Sequence, residues 1–122
     1  MVKLTFCLRR RDDMTFDEFS RYWGEVHAPL VAARAAVLGI RRYVQVRTID
    51  APALHAALQN RNGGAPEPFD GIAELWFDDI DAFTAARDPE AQRAARELLD
   101  DERRFIDLAR SPMWLGDERV IV

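Results

Sequence analysis

The segment "TFDEFSRYWGEVHAPL", residues 15–30, decides how the first half of the chain folds. Thr15 and Glu18 have the spacing of a capping box, so the pattern predicts that a helix begins at Thr15. A Gly at position 39 predicts its end. The large side chains that follow recur at helical spacing, which predicts one buried face. That face comprises Phe16, Phe19, Trp23, Val26, His27 and Leu30.

Pro29 interrupts this helix pattern. Proline has no backbone N–H and crowds the carbonyl of Glu25, so we expect the helix to loosen there and its regular first section to end at His27. The dipole at a helix end favours the cationic form of a histidine. Because histidine titrates near neutral pH, His27 is the best-placed candidate for proton transfer. The alternative is a core histidine whose hydrogen bonds fix the helix to a sheet.

The remaining patterns predict four strands and a second helical layer. Strands are expected at 2–9, 40–49, 70–77 and 113–122, with Gly116 as a bulge in the last one. A short helix is expected within 79–88. Asp88 and Pro89 then begin a longer helix that continues to "SP" at 111–112. The order βαββαβ with right-handed crossovers predicts the α+β, ferredoxin-like fold, a four-stranded antiparallel sheet with both helices on one face.

The segment 50–69 is the least regular part of the sequence. A short helical turn is expected over 54–58, followed by a loop rich in Asn, Gly and Pro. A connection this long in a compact domain is often functional. His55 is therefore a candidate to cover a ligand cavity.

Composition limits the class of protein. With 122 residues the chain is expected to form one domain over 1–122. The net charge of −4 argues against a nucleic-acid partner. A single cysteine cannot form an internal disulfide, and no stretch approaches the ~18 apolar residues of a membrane span, so we expect a cytoplasmic protein without a membrane partner. The two histidines lack partners at metal-ligand spacing, so neither metal nor cofactor is expected.

Alternation along the strands assigns residues to two faces of the sheet. The helices are expected to cover Leu4, Phe6, Val44, Val46, Ala73, Leu75 and Phe77. The opposite face is expected to carry Thr5, Cys7, Tyr43, Gln45, Ile72, Glu74 and Trp76. A mixed polar and aromatic surface suits the wall of a ligand cavity, which a second copy of the chain would close. The alternative is a plain dimer interface without a ligand.

Glu74 is the second catalytic candidate, because a carboxylate on a half-apolar face can act as an acid or a base. Its alternative role is a salt bridge to Lys3 on the adjacent strand. Tyr22 and Trp23 lie near His27 in the helix and are candidate substrate contacts, or else core residues. Cys7 is a candidate cavity residue, and its alternative is a small buried thiol.

Five segments occur in an order that covers nearly the whole chain: "VKLTFCLRRR", "FDEFSRYWGEVHAPL", "RRYVQVR", "FDGIAELWF" and "DERRFID". On these segments the chain resembles the EthD family of dimeric α/β-barrel proteins, with "YW…HAPL" and "DGIAELWF" as the specific motifs. The resemblance implies a ferredoxin-like subunit, a homodimer, and a barrel that binds a small apolar or aromatic molecule. The insert at 50–69 departs from the pattern, so no role is carried over to it.

Without a predicted cofactor site, the chemistry has to come from side chains. That leaves acid–base catalysis of cyclisation, dehydration, decarboxylation or isomerisation, or monooxygenation through a carbanion of the substrate itself. His27 is the expected catalytic residue and Glu74 its assistant. The alternative function is a non-catalytic binding or accessory protein of a catabolic pathway, and a third is a purely structural dimer.

Overall fold

A four-stranded antiparallel sheet with strand order β2-β3-β1-β4 organises the fold. The structure is a computed structural model that describes residues 1–85 and 88–122. The strands are β1 (Val2–Leu8), β2 (Arg42–Arg47), β3 (Gly71–Phe77) and β4 (Met113–Asp117). The α-helices are α1 (Phe16–Tyr22), α2 (Ala28–Leu38), α3 (Pro52–Arg61), α4 (Ile80–Thr84) and α5 (Pro89–Glu102). This architecture confirms the predicted α+β, ferredoxin-like fold.

Local sequence signals set the ends of the main helices, as predicted. The Thr15 hydroxyl accepts a hydrogen bond from the Glu18 N–H at 3.1 Å, and the Glu18 carboxylate accepts one from the Thr15 N–H at 3.0 Å. The carboxylate of Asp88 caps α5 by accepting a hydrogen bond from the Ala91 N–H at 2.8 Å. Gly39 ends α2 with φ of 75°, a left-handed conformation that favours glycine.

A five-residue π-helical turn, Trp23–His27, joins α1 to α2. The regular first section of the helix therefore ends at Tyr22 and not at the predicted His27. The N–H of Ala28 reaches back to the carbonyl of Trp23, and the wider turn takes Pro29 into the first turn of α2, where the N–H that proline lacks is not required. The wider turn also changes which side chains face inward. Val26 was predicted to be buried, but it is 43% exposed.

The helices cover the face of the sheet that carries Leu4, Phe6 and Leu75, as predicted. Four large side chains are fully buried in this layer: Trp23, Phe19, Phe105 and Leu8. The indole of Trp23 lies directly on Gly71, where an added Cβ would sit 2.5 Å from a ring carbon. Only glycine permits this close approach of helix and sheet.

The prediction of which β2 side chains face the helices is wrong by one position. Tyr43 pairs with Leu75 and packs against both parts of the core, so Tyr43 and Gln45 face the helices. Val44 and Val46 face the opposite side. The Gln45 amide donates to the Tyr43 hydroxyl at 2.8 Å and to the Trp23 carbonyl at 3.0 Å. Because these polar groups find partners inside, their burial costs less than their polarity suggests.

Further features differ from the sequence prediction. Strand β4 ends at Asp117 instead of at 122, and β2 spans Arg42–Arg47 instead of 40–49. The insert forms a full helix, α3, instead of a short turn, and α5 ends at Glu102 instead of at "SP". The pairing of β4 with β1 continues without interruption through Gly116, so the predicted bulge is absent there. The short helix predicted within 79–88 is α4, and positions 86–87 of that prediction lie outside the described residues. No helix among the described residues has the length and apolarity needed to span a membrane.

Candidate functional site

Four polar side chains meet between the first helix and the end of α5, and we call them the histidine cluster: Tyr22, His27, Asp101 and Glu102. The Nδ1 atom of His27 lies 2.8 Å from one Asp101 oxygen, and the Tyr22 hydroxyl donates to the other at 2.6 Å. The Nε2 atom of His27 lies 4.0 Å from a Glu102 oxygen. His27 is 4% exposed and Asp101 is 7% exposed, so the centre of the cluster is shielded from water.

The two helices supply these groups at fixed points. His27 is the last residue of the π-helical turn, a feature often found at functional sites. Asp101 and Glu102 are the last two residues of α5, so consecutive positions place one carboxyl on each side of the imidazole. The ring of Phe105 packs 5.0 Å from the imidazole and 5.1 Å from the Tyr22 ring, measured between centroids. This apolar neighbour holds both polar rings against Asp101.

Burial changes the protonation of the cluster. It lowers the pKa of His27, although the hydrogen bond and the charge of Asp101 act in the opposite direction. Burial, together with the negative charge of Asp101, raises the pKa of Glu102 to about 7. Near neutral pH His27 is therefore neutral, and Glu102 holds its proton to a higher pH than an ordinary glutamate does.

The hydrogen-bond pattern also assigns the tautomer of His27. A carboxylate such as Asp101 only accepts hydrogen bonds, so the imidazole proton belongs on Nδ1 and Nε2 carries a free lone pair. An oriented base at Nε2 thus lies beside a carboxylic acid, that of Glu102. Environments that keep a histidine neutral and a carboxyl protonated are typical of acid–base pairs in enzymes.

The structure divides the predicted site residues between two sides of the sheet. Tyr22, Trp23, His27, Tyr43 and Gln45 lie on the side that the helices cover. Of these, Trp23 is 1% exposed and belongs to the core. Burial also raises the pKa of the Tyr43 phenol.

The other predicted residues lie on the uncovered side, which we call the open face: Thr5, Cys7, Ile72, Glu74 and Trp76. Glu74 therefore does not meet His27. It accepts a hydrogen bond from the Lys3 ammonium at 2.6 Å, the alternative that the strand register favoured. Cys7 is buried, and burial raises the pKa of its thiol, which disfavours the nucleophilic thiolate.

The Trp76 indole on the open face contacts two cations and makes a hydrogen bond. The Lys3 ammonium lies 5.4 Å from the centre of its ring and the Arg42 guanidinium lies 4.8 Å away. Its indole N–H donates to the Glu118 carboxylate. A second tryptophan, Trp114, lies in the same face opposite Thr5 and is 52% exposed.

Asp101 and Glu102 were not predicted, although the sequence contained a signal for Asp101. The buried residues of α5 are Ala91, Ala94, Leu98 and Asp101, which follow one another at spacings of three and four. A charged residue that continues an apolar stripe in this manner requires a buried partner. Across residues 1–85 and 88–122, no three or more His, Cys, Asp or Glu side chains are arranged to hold a metal ion.

The sequence matches a known family model and is similar to a named protein. The EthD domain model matches residues 11–109. The chain is 25% identical over 114 residues to the decarboxylase AgnL1 of Paecilomyces divaricatus, covering 93% of this chain and 75% of that protein.

Solved structures share the fold. An ethyl tert-butyl ether D family protein of Bacillus halodurans superposes with a TM-score of 0.63 at 21% identity, covering 98% of this chain and 99% of that one. A dimeric ferredoxin-like protein of unknown function from Thermobifida fusca gives 0.59 at 16% identity, covering 94% and 88%. Since the family model covers most of its length, this chain belongs to the EthD family.

Proposed function

We propose that this protein is a homodimeric enzyme in which the histidine cluster performs cofactor-independent acid–base chemistry on a small apolar or aromatic metabolite. One observation carries the proposal. The buried Asp101 orients a neutral His27, and the carboxyl of Glu102, whose pKa is about 7, lies 4.0 Å from its free nitrogen. This arrangement supplies a base and an acid at the same pH.

The proposed steps follow from these protonation states. Nε2 of His27 takes a proton from an enolisable or phenolic substrate, and the negative Asp101 stabilises the imidazolium that forms. The Glu102 carboxyl then delivers a proton to the carbon or oxygen that has gained electrons. Cyclisation, dehydration and isomerisation each need one proton removed by a base and one proton delivered by an acid. Monooxygenation begins with the removal of a proton, because the substrate first has to become a carbanion.

Decarboxylation is the member of this set that we favour. In an ortho-hydroxybenzoate, His27 takes the phenol proton, the bond between the ring carbon and the carboxylate breaks, carbon dioxide leaves, and the electron pair left on the ring carbon takes the Glu102 proton. The imidazolium of His27 then returns its proton to the substrate oxygen. The Glu102 carboxylate then takes a new proton from water. The name of the relative from Paecilomyces divaricatus supports this choice, since that protein is called a decarboxylase.

The test is turnover of ortho-hydroxybenzoates and β-keto acids, followed as released carbon dioxide and as product by mass spectrometry. We expect His27→Gln and Glu102→Gln to lose at least about 100-fold in kcat/KM, the usual contribution of a positioned acid or base. Asp100→Asn is the matched control, because this neighbouring carboxylate is exposed and pairs only with Arg103 among the described residues. Undiminished turnover by His27→Gln would remove the histidine from the mechanism.

We also propose that the open face is the homodimer interface and forms the wall of a shared barrel. It carries the large apolar side chains Ile72, Trp76 and Trp114, and exposed apolar patches usually mark an interface. Thr5, Cys7 and Glu74 would then line the barrel interior, separate from the histidine cluster. We place the whole chain in one domain and in the cytoplasm.

The dimer is tested by light scattering during gel filtration. Trp114→Glu, which adds a charge to the open face, is expected to give a monomer at micromolar concentration. Arg96→Glu on the exposed side of α5 is the control and should leave the dimer intact. An unchanged mass for Trp114→Glu would place the interface elsewhere.

The burial of His27 favours a second candidate function. A histidine that is 4% exposed and hydrogen-bonded also suits a non-catalytic ligand-binding or accessory protein. That function requires micromolar affinity for an aromatic acid together with no turnover of any compound in the panel.

A further inference from the structure

A cleft lies at the other end of α1, away from the histidine cluster. This cleft has a volume of about 830 Å³ and lies between the start of α1, helix α3 and the loop 64–70. Small-molecule sites commonly have volumes of roughly 300–1,000 Å³. Asp17 at the cleft is ten residues from His27, which corresponds to about 15 Å along a helix. The cleft is thus spatially separate from the proposed catalytic groups.

Arg9 and Arg10 hold the loop 64–70 in place along one side of the cleft. The guanidinium of Arg10 pairs with the Asp70 carboxylate at 2.5 Å, and the N–H of Arg10 donates to the same carboxylate at 2.8 Å. The Arg9 guanidinium donates to the Pro68 carbonyl at 2.9 Å and lies 4.2 Å above the ring of Phe69. These contacts keep the Phe69 side of the loop in place before any ligand arrives.

The helical side presents polar groups that the protein itself does not use. His55 and Gln59 lie one turn apart on α3, line the cleft and are half-buried. Among the residues that the structure describes, none makes a hydrogen bond to the imidazole of His55 or to the side-chain amide of Gln59. Such groups are available to a ligand, and the burial they already have lowers the cost of contacting it.

The charge of the cleft selects the kind of ligand. Four carboxylates line it, those of Asp17, Asp50, Glu67 and Asp70, and the described lining contains no lysine or arginine. Arg10 pairs with Asp70, and the Arg9 guanidinium at the Phe69 ring donates to backbone carbonyls of the loop and to no carboxylate of the described residues. The remaining three carboxylates favour a positive ligand. Aromatic walls from Phe16 and Phe69 add an apolar surface of the kind that accepts a flat hydrocarbon body.

We infer that this cleft is a second small-molecule site, which binds an organic cation with a flat apolar body. The cleft binds this ligand without reacting with it, and the binding does not depend on the histidine cluster. The ammonium group lies towards Asp50 and Glu67, the ring packs between Phe16 and Phe69, and His55 or Gln59 accepts a hydrogen bond from the ammonium.

Three phenylalkyl probes of similar size but different charge test this inference: 2-phenylethylamine, 2-phenylethanol and 3-phenylpropanoate. Each is titrated into the ¹⁵N-labelled full-length protein and followed by amide chemical shifts. We expect the amine to bind at least fivefold more tightly than the acid and to shift residues in 15–17, 48–60 and 64–70. Equal affinity for the three probes, or no shifts in these segments, would overturn the inference.

Paired variants separate the cleft from general charge effects. Asp50→Asn/Glu67→Gln is expected to weaken binding of the amine at least threefold and to bring it close to that of the alcohol. Asp81→Asn/Glu90→Gln makes the same change in net charge on α4 and α5 and should leave the affinity unchanged. An equal loss in both pairs would mean that no local site exists. His27→Gln should retain amine binding, so the failure of this inference and that of the proposed function are distinguishable.

Discussion

The two faces of the sheet hold acidic groups in opposite ways. On the open face, Glu74 contacts a full cation, the Lys3 ammonium, and both side chains keep about a fifth of their surface exposed. On the covered face, Asp101 and Glu102 flank a neutral imidazole, and Asp101 is almost wholly buried. The difference separates a partly hydrated ion pair from two carboxyls that share a buried, neutral imidazole, and it is the second arrangement that we propose for proton transfer.

The largest effect expected from this contrast is on stability. Asp101→Ala leaves the buried Nδ1–H of His27 and the half-buried hydroxyl of Tyr22 without an acceptor, so we expect a loss of roughly 2–4 kcal/mol in the free energy of unfolding. The measurement is urea denaturation at pH 7 and fixed protein concentration. Asp100→Ala, whose side chain is 71% exposed, should change stability by less than about 0.5 kcal/mol. Similar losses in both variants would show that Asp101 is not the acceptor that unites the cluster.

The second effect is a pH dependence due to Glu102. Its pKa is raised in the folded protein from 4.5 to about 7, so between these values the folded state binds more protons than the unfolded state. Stability from this group is full below pH 4.5 and is lost as the pH rises through 7. Glu102→Gln does not titrate, so it should gain roughly 2–3 kcal/mol relative to the natural protein between pH 5 and pH 8.

His27 acts with the opposite sign, and this separates the two groups. Its pKa is lowered on folding, so its contribution is present above pH 6.5 and is lost as the pH falls through the lower, folded value. His27→Gln should therefore gain relative stability towards acid, whereas Glu102→Gln gains it towards alkali. Denaturation midpoints across this pH range measure both. Parallel curves for the natural protein and Glu102→Gln would show that the carboxyl is not perturbed.

The smallest effect is expected on the open face. Glu74→Gln removes a partly exposed ion pair, and such pairs contribute about 1 kcal/mol or less. The change should shrink further at high salt, which screens the pair. A double-mutant cycle with Lys3→Met isolates the interaction energy. A Lys3–Glu74 coupling energy as large as the stability loss of Asp101→Ala would reverse the contrast between the faces.

Local patterns were sufficient to predict most of the architecture. The capping box at Thr15, the left-handed Gly39 and the Asp88 cap depend on neighbours a few residues away, and each lies where it was predicted. The EthD motifs likewise predicted the family, because they extend along the whole chain.

The candidate site was harder to predict because it depends on long-range contacts. The partner of His27 is 74 residues away in sequence, and no periodicity in the first helix identifies it. The phase of β2 failed for a related reason. Two valines suggest a core face, but the Tyr43 hydroxyl and the Gln45 amide are satisfied by each other and by a helix carbonyl. Only the assembled structure shows that this polar pair has its partners inside.

The π-helical turn has a consequence for how this helix tolerates insertions and deletions. A π-helical turn holds one residue more than an α-helical turn, because its hydrogen bonds join residues five apart instead of four. The loss of one residue from Trp23–His27 would therefore be absorbed by a return to ordinary α-helical winding, and Val31 would stay buried against α5. The loss of one residue within α2 has no such compensation, because it would turn all that follows by about 100°. Relatives with one residue fewer between "YW" and "HAPL" should therefore wind as an uninterrupted α-helix there.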